Sequence, residues 1–331
     1  MKEKEIRWGI IGVGDVCEVK SGPAMQLIEN SRLVAVMRRN GDKAKDYAQR
    51  HGVSKWYDDA DHLINDPEVN AIYIATPPNS HQPYTLKAAA TGKPVYVEKP
   101  MATTYKECKE MVEACHQANV GLFTAYYRRM LPNFLKVKSL IDDGTIGDIR
   151  YVNITLNKTL QPDIAGASKS PDNWRILPEI AGGGYFFDLA CHQLDLLDFI
   201  LGPINEAQGY SANQANIYRA EDIVLGSFQF ESGVLGQGTW CFSTSVASDK
   251  ELTTIVGSKG QISYPCFGDF SITLELEGNE KEVMKFNIPK HIQQPLIQTI
   301  VDELLGKGQC SSSGISGART SKVMEQLCRR S

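Results

Sequence analysis

The stretch Gly9-Ile10-Ile11-Gly12-Val13-Gly14-Asp15-Val16-Cys17 decides the fold of the first part of the chain. It completes a short apolar segment and opens one with helical character. Gly12 permits a tight turn from strand to helix, and Gly14 lets the backbone approach a pyrophosphate group. The stretch therefore predicts a dinucleotide-binding turn, with a purely structural glycine turn as the alternative. Cys17 stands where such turns usually carry glycine or alanine.

The rest of the first 124 residues alternates strand and helix patterns. Short apolar segments rich in β-branched residues are separated by amphipathic helical segments. This alternation is typical of βαβ units, in which helices cover a buried parallel sheet. We therefore predict an α/β domain with a doubly wound parallel sheet over residues 1–124. The expected strands are Ile6–Ile11, Leu33–Met37, Ala71–Ala75, Val95–Val97 and Val120–Thr124.

The pattern changes after residue 124 to longer segments in which polar and apolar residues alternate. Such segments predict strands with one buried and one solvated face, joined by hairpin-like turns. We predict an α+β domain over residues 125–331, with a large, mostly antiparallel open sheet and one strong helix at Gly184–Leu201. The expected strands are Ile149–Asn157, Asp222–Phe230, Val234–Phe242, Leu252–Val256, Ser271–Leu276 and Val283–Ile288.

Composition excludes several classes of partner. The 331 residues carry a formal net charge of −4, which gives no electrostatic reason to expect nucleic acid or an anionic membrane. No apolar segment approaches the ~18 residues of a membrane span, and the charged N-terminus is unlike a secretory signal. The eight cysteines are scattered without a C-x-x-C pair, which favours reduced thiols in a cytoplasmic protein.

Two arginines end the second predicted strand. An NAD-preferring site usually places a carboxylate there to bind the ribose 2′-hydroxyl, whereas Arg38 and Arg39 offer guanidinium groups that could bind a 2′-phosphate. We therefore favour NADP over NAD. Asp42 could still serve a ribose, and the arginines could be ordinary surface charges.

Polar residues follow the third predicted strand, at the edge of the sheet where ligands bind. Pro77 stiffens this loop, and Thr76, Asn79 and His81 can offer polar groups to a ribose or nicotinamide. A predicted helix begins directly after this loop. The alternative is therefore a structural loop in which Asn79 or Ser80 is the N-cap of that helix.

The tripeptide Glu98-Lys99-Pro100 follows the fourth predicted strand. An ammonium group at that edge can donate to a substrate oxygen near the nicotinamide and favours alkoxide character during hydride transfer. At this position Glu98 and Lys99 could belong to the cofactor site, and Lys99 could act on the substrate. The alternative is a surface lysine paired with Glu98.

A second cluster of chemically active residues lies on the predicted helix of the second domain. Asp188 and His192 are four positions apart and would share a helix face. Imidazole suits proton exchange near neutral pH, which the oxidation of an alcohol requires. Asp188 could orient it or bind substrate hydroxyls. Alternatively, His192 forms a structural hydrogen bond with Asp188 or Asp195. No ligand set has zinc-site spacing, so we expect no metal.

Taken together, these motifs resemble the Gfo/Idh/MocA oxidoreductase family over nearly the whole chain. The resemblance implies an N-terminal Rossmann domain and a C-terminal domain that binds substrate and builds homodimers or homotetramers through its sheet. The motifs are Gly9-x-x-Gly12-x-Gly14, Ala75-Thr76-Pro77-Pro78-Asn79-x-His81, Glu98-Lys99-Pro100, Tyr127-Arg128-Arg129-x-x-Pro132 and Gly182-Gly183-Gly184-x-x-x-Asp188-x-x-x-His192.

The resemblance also implies hydride transfer between NADP or NAD and a hydroxyl carbon of a sugar, polyol or vicinal diol. Lys99 and His192 would then form the catalytic pair, assisted by Asp188. The backbone of Asp15 and Val16 would join the cofactor site. Substrate-lining roles fall to Trp174, Arg175 and Arg129.

Several alternatives stay open. For Arg128 and Arg129, an ion pair between domains is as good an interpretation as a functional role. A dinucleotide-binding regulator without catalysis would need the glycine turn but neither Lys99 nor His192. A third alternative is a glycosidase that uses tightly held NAD for transient oxidation of a sugar. The substrate preference is expected to depend on loops such as Thr159–Pro171.

Overall fold

A computed structural model describes residues 4–159 and 173–328 of the chain. By its internal contacts the chain divides into two compact units. The first comprises Met1–Tyr127 and Pro289–Ala318, and the second comprises Arg128–Ile288 and Arg319–Ser331. The segment Pro289–Ala318 thus groups with the first unit, whereas the sequence-based division placed it in the second domain. Apart from its first residue, the loop Thr159–Pro171 lies outside the described residues.

The first unit contains a six-stranded sheet in which all neighbouring strands are parallel. Its order, β3-β2-β1-β4-β5-β6, is that of a Rossmann fold and confirms the predicted α/β architecture. The order reverses between β1 and β4, so ligands are expected beyond the carboxyl ends of these strands. The strands are β1 Ile6–Ile11, β2 Ser31–Met37, β3 Lys55–Tyr57, β4 Ala71–Ile74, β5 Val95–Val97 and β6 Leu122–Thr124.

Helices connect these strands, and their ends follow from local sequence. The side chain of Asn40 accepts a hydrogen bond from the amide of Lys43 at the start of one helix, and Gly52, with φ of 65°, ends it in the left-handed region. Thr104 and Glu107 form a capping box at the start of another. The helices are α1 Asp15–Val19, α2 Gly22–Leu27, α3 Gly41–His51, α4 Ala60–Ile64, α5 His81–Ala90 and α6 Tyr105–Gln117.

The second unit contains an eight-stranded sheet in the order β14-β13-β12-β11-β7-β10-β9-β8. Only β7 and β10 pair in parallel among its described strands, and the other neighbours are antiparallel. This confirms the predicted mostly antiparallel sheet. The strands are β7 Ile149–Thr159, β8 Ile204–Ala212, β9 Ile223–Phe230, β10 Leu235–Thr244, β11 Lys250–Gly257, β12 Gly260–Tyr264, β13 Ser271–Leu276 and β14 Glu282–Lys285.

The predicted helix Gly184–Leu201 is a composite element. A π-helical turn at Phe186–Ala190 leads directly into an α-helix at Cys191–Leu201. A Cβ atom at Gly184 would lie 2.7 Å from the Cβ of Ala220, so only glycine permits this close packing before the turn. The helices of the second part of the chain are α7 Pro132–Asp142, α8 Pro178–Ala181, α9 Cys191–Leu201, α10 Gln294–Leu304 and α11 Gly314–Leu327. Among the described helices, none has the length and apolarity to span a bilayer.

Candidate functional site

The glycine turn between β1 and α1 is shaped by two different requirements. Gly12 has φ of +94°, and a Cβ atom on it would lie 2.6 Å from Thr76 Cγ2 and 3.0 Å from the Thr76 amide nitrogen. Only glycine therefore lets the loop after β4 pack against the turn. A Cβ on Gly14 would meet only the carbonyl oxygen of Gly12, at 3.9 Å, among the described residues. Gly14 thus leaves room for a ligand to approach the backbone.

Cys17 fits the position that usually carries glycine or alanine. Its side chain is fully buried behind the turn, and its carbonyl oxygen accepts a hydrogen bond from the hydroxyl of Tyr47 at 2.8 Å. Burial raises the pKa of the Cys17 thiol to about 12, so it stays neutral at physiological pH. The departure from the usual motif is thus accommodated as a small apolar side chain.

The two arginines after β2 occupy different environments. Arg38 is partly buried, and its Nη1 donates a hydrogen bond to the carbonyl oxygen of Val13 at 3.1 Å. Arg39 is exposed, and Asn40 next to it caps α3. Arg38 therefore supports the glycine turn, whereas the Arg39 guanidinium lies at the surface of the same edge of the sheet.

The loop after β4 is braced internally. Ser80 Oγ lies 2.7 Å from Thr76 Oγ1 and 2.8 Å from the carbonyl oxygen of Pro77. Ser80 is the N-cap residue of α5, but no side-chain hydrogen bond caps the helix there. The capping role that we kept as an alternative is therefore not what orders this loop. Asn79 is exposed, and Thr76 and Pro77 are partly exposed.

His81, which the sequence placed among the candidate cofactor-binding residues, is fully buried. Its Nε2 lies 2.7 Å from the carbonyl oxygen of Thr76, and its Nδ1 lies 3.1 Å from that of Pro100 and 3.2 Å from that of Met101. Burial lowers the pKa of the imidazole despite these carbonyl contacts. His81 thus links the loop after β4 to the loop that carries Lys99.

Glu98 is also buried, and its carboxylate belongs to a hydrogen-bond network within the first unit. Its Oε1 accepts hydrogen bonds from Tyr73 Oη at 2.5 Å and from Gln293 Nε2 at 2.8 Å. Its Oε2 accepts a bond from the backbone amide of Lys99 at 3.2 Å. The network fixes the backbone from which the Lys99 side chain extends. Gln293 gave no signal in the sequence, because it is 195 positions from Glu98.

The second unit brings together three of the residues predicted to bind substrate. Trp174 and Arg175 lie in a short 3₁₀ turn that the side chain of Asn173 caps. The Arg175 guanidinium lies 4.5 Å from the centroid of the Trp174 ring, and its Nε lies 3.6 Å from Oδ2 of Asp188. An indole face, a guanidinium and a carboxylate are therefore adjacent, as recognition of a hydroxylated compound requires.

His192 lies near the start of α9 and is 4% exposed, whereas Asp188 lies in the preceding π-helical turn and is 6% exposed. A π turn closes i to i+5 hydrogen bonds, so the four-residue spacing of an α-helix does not describe this pair. Such turns occur frequently at functional sites. The His192 ring packs edge-on against Phe267, with ring centroids 5.9 Å apart.

Arg129, for which the sequence left open a functional role and an ion pair between domains, is buried in an ion network of the second unit. Its Nε and Nη2 donate to the two carboxylate oxygens of Asp195 at 2.8 and 2.6 Å, and Nη2 lies 3.3 Å from Asp198. Arg319 donates two further bonds to Asp198. Arg129 is 3% exposed, so its guanidinium is almost fully enclosed by protein groups.

Comparison with known proteins identifies the family. The profile of an oxidoreductase family with an NAD-binding Rossmann fold matches residues 6–126, and that of the GFO/IDH/MocA C-terminal domain matches residues 134–263. The chain belongs to the Gfo/Idh/MocA family of oxidoreductases. It is thus an enzyme of the NAD(P)-dependent kind, as the sequence motifs indicated.

Several relatives align with most of this chain. Oxidoreductase P35 of Formosa agariphila is 41% identical over 326 residues, which cover 98% of this chain and 99% of the relative. The 1,5-anhydro-D-fructose reductase of Ensifer adhaerens is 30% identical over 243 residues, covering 73% and 71%. A levoglucosan dehydrogenase solved with NADH and levoglucosan has a TM-score of 0.85 at 20% identity, covering 98% and 97%, and supports the fold.

Proposed function

We propose that this oxidoreductase prefers NADP and transfers a hydride between the nicotinamide and a hydroxyl or carbonyl carbon of a sugar, polyol or vicinal diol. The position of Lys99 carries the proposal. Lys99 is the second residue after β5, at the carboxyl edge of the Rossmann sheet, and buried Glu98 fixes its backbone. The name of the related 1,5-anhydro-D-fructose reductase supports a carbohydrate-like substrate.

Residues of the first unit fit a dinucleotide. The open space at Gly14 suits a pyrophosphate, and the polar groups of Thr76 and Asn79 suit the ribose and the carboxamide. The exposed Arg39 guanidinium would bind a 2′-phosphate, while Arg38 holds the turn. When bound, the dinucleotide supplies the acceptor or donor of the hydride.

The chain's own residues would manage the proton and the developing charge. In oxidation, the His192 imidazole accepts the proton of the substrate hydroxyl, and the Lys99 ammonium stabilises the alkoxide that forms. Asp188 orients the imidazole or a neighbouring hydroxyl, and Arg175 Nε lies 3.6 Å from Oδ2 of its carboxylate. In reduction, His192 returns the proton to the oxygen.

Substrate recognition would fall to the turn around Trp174. The partly exposed indole offers an apolar face for C–H groups of a sugar ring, and the Arg175 guanidinium offers donors for its oxygens. We assign no substrate contact to Arg129, because Asp195 and Asp198 engage its guanidinium in the interior.

The eight-stranded sheet supports a homo-oligomer, a dimer or a tetramer. Tyr151 pairs with Leu235, and Tyr210 pairs with Leu225, in a register that places all four on one sheet face. They are 46%, 57%, 70% and 43% exposed in the single chain, and an apolar patch of this kind marks an interaction surface. We also propose a cytoplasmic location, because all eight cysteines are buried thiols without a disulfide in the described residues.

A substrate panel tests the function. Sugars, polyols and vicinal diols would be incubated with NAD or NADP, and the absorbance of the reduced nicotinamide followed. We expect turnover with at least one compound and a higher kcat/KM with NADP than with NAD. Lys99→Met should abolish turnover, whereas Lys106→Met, an exposed lysine on α6, should not. Activity of Lys99→Met equal to that of the wild type would contradict the proposal.

A further inference from the structure

We propose that Phe267 is a positioning residue for the imidazole of His192, held in place by Glu251 and Arg128. This inference rests on the proposed function, in which His192 exchanges the substrate proton. Phe267 and Glu251 lie about 60 to 75 positions from His192 in the sequence, and only the fold of the second unit brings them to it.

The rings of Phe267 and His192 are in edge-to-face contact. Their centroids are 5.9 Å apart and their planes meet at 76°, an edge-to-face arrangement that favours one ring geometry. His192 is nearly fully buried, while Phe267 is partly exposed. Phe267 is therefore the more accessible of the two rings.

Glu251 at the start of β11 fixes the segment that carries Phe267. Its Oε2 accepts a hydrogen bond from the Phe267 amide at 3.1 Å, and its Oε1 accepts one from the Cys266 amide at 2.9 Å. The same Oε1 accepts a third bond, from Nε2 of Gln193 at 3.0 Å. Since Gln193 follows His192 directly in α9, one carboxylate ties both partners of the ring contact together.

Two further contacts complete the arrangement. The guanidinium carbon of buried Arg128 lies 4.6 Å from the centroid of the Phe267 ring, and Arg128 Nε donates to the Cys266 carbonyl at 2.9 Å. On the other side, Trp240 Nε1 donates to Oε1 of Gln193 at 2.8 Å. The position of Phe267 is thus fixed by the hydrogen bond of its amide to Glu251 and by the Arg128 guanidinium over its ring.

Loss of the ring would let the imidazole leave its productive orientation, although the fold and the cofactor-binding residues stay unchanged. A misplaced proton acceptor lowers the rate of the chemical step, because proton transfer needs close alignment. Phe267→Leu should therefore lower kcat roughly tenfold or more, with little change in KM for the nicotinamide cofactor. Phe267→Tyr keeps an aromatic edge and should restore most of kcat.

Matched variants separate positioning from general packing. Phe199 lies on the same α9, its ring centroid is 5.5 Å from the Arg129 guanidinium carbon, and Phe199→Leu makes the same change in volume. Glu251→Gln keeps the shape but cannot accept at both oxygens, so it should weaken the hold on Phe267. Kinetics would use the compound of the panel with the highest turnover, and circular dichroism would confirm folding.

A second readout does not depend on activity. In protein labelled with ¹⁵N-histidine, the His192 ring resonances are assigned by their loss in His192→Asn. We expect them to shift in Phe267→Leu and Glu251→Gln and to stay in place in Phe199→Leu. Unchanged resonances, or folded Phe267→Leu with kcat within twofold of wild type, would overturn the inference. A His192→Asn enzyme with wild-type turnover would instead overturn the proposed function and leave the ring contact standing.

Discussion

His81 Nε2 lies 2.7 Å from the carbonyl oxygen of Thr76, inside the first unit. The opposite ring nitrogen faces the carbonyl oxygens of Pro100 and Met101. The histidine at the start of α5 thus joins the two loops that we assign to the cofactor and to Lys99. It acts on the site through the backbone.

Replacement of His81 by alanine should disturb both loops at once. The change leaves a cavity and removes a buried hydrogen bond, so we expect a loss of about 2–4 kcal/mol in the free energy of unfolding. The Kd of the dinucleotide should rise in the same variant, because Thr76 loses its support. Urea unfolding and cofactor fluorescence titration measure the two effects. His116→Ala, exposed on α6, is the control, and an unchanged stability and Kd in His81→Ala would refute the role.

Arg129 should matter for stability and not for substrate affinity. Arg129→Met leaves the buried carboxylate of Asp195 without its bidentate partner, so unfolding should cost about 3–5 kcal/mol less. Arg150→Met removes an exposed arginine and should change stability by at most about 0.5 kcal/mol. Thermal unfolding compares them. If Arg129→Met kept its stability but raised the substrate KM, the residue would line the substrate pocket after all.

Substitutions of the two arginines after β2 should differ in their effect on the preference for NADP over NAD. Arg39→Ala removes the group that we assign to the 2′-phosphate, so KM for NADP should rise about 10- to 100-fold, as expected for a charge-assisted hydrogen bond, with little effect on NAD. Arg38→Ala loosens the glycine turn through Val13 and should weaken both cofactors. Steady-state kinetics with both cofactors checks this. An Arg39→Ala enzyme with unaltered NADP kinetics would remove the basis for NADP preference.

At acidic pH, protonation of Glu18 should lower the folding stability of the first unit. The Arg50 guanidinium donates to both its oxygens at 2.8 Å, and His51 Nε2 lies 2.8 Å from Oε2. These contacts lower the pKa of Glu18 from 4.5 to about 2. Because the folded state binds the proton less readily than the unfolded state, this stabilisation is present above pH 4.5 and is lost as pH falls towards 2.

Glu18→Gln should therefore show a shallower loss of stability between pH 4.5 and 2 than the wild type. The melting temperature measured across that range provides the comparison. Glu29→Gln, at an exposed position of the same unit, should follow the wild-type curve. Parallel curves for wild type and Glu18→Gln would show that the Arg50 contact does not contribute to folding.

The sequence predicted the strands whose side chains are buried, because burial on both faces leaves an apolar, β-branched record. The strand Lys55–Tyr57 was missed: it has three residues, lies at the edge of its sheet and is only partly buried. The strand Ile204–Ala212 was missed because most of its residues are exposed and polar. The strand Gly260–Tyr264 was also missed, because it has only five residues.

The residues of the candidate site also differ in how far the sequence indicates them. The glycine turn, Lys99 and His192 were recognisable because their chemistry depends on residue type and local position. The surroundings of these residues were not. Arg129 and Arg39 are both arginines in the sequence, and only packing shows that one is buried among carboxylates and the other exposed. Glu251 and Phe267 are about 60 to 75 positions from His192 in the sequence, and this separation leaves no local pattern.

The most direct test of the account measures turnover and cofactor binding in Lys99→Ala and His192→Ala. We expect kcat for the best compound of the panel to fall by about 10²- to 10⁴-fold in His192→Ala, because the general base is lost. We expect a comparable loss of kcat in Lys99→Ala. The Kd of NADP, from fluorescence titration, should stay within twofold of wild type in His192→Ala. Wild-type turnover in both variants would contradict the assignment of Lys99 and His192 as the catalytic pair.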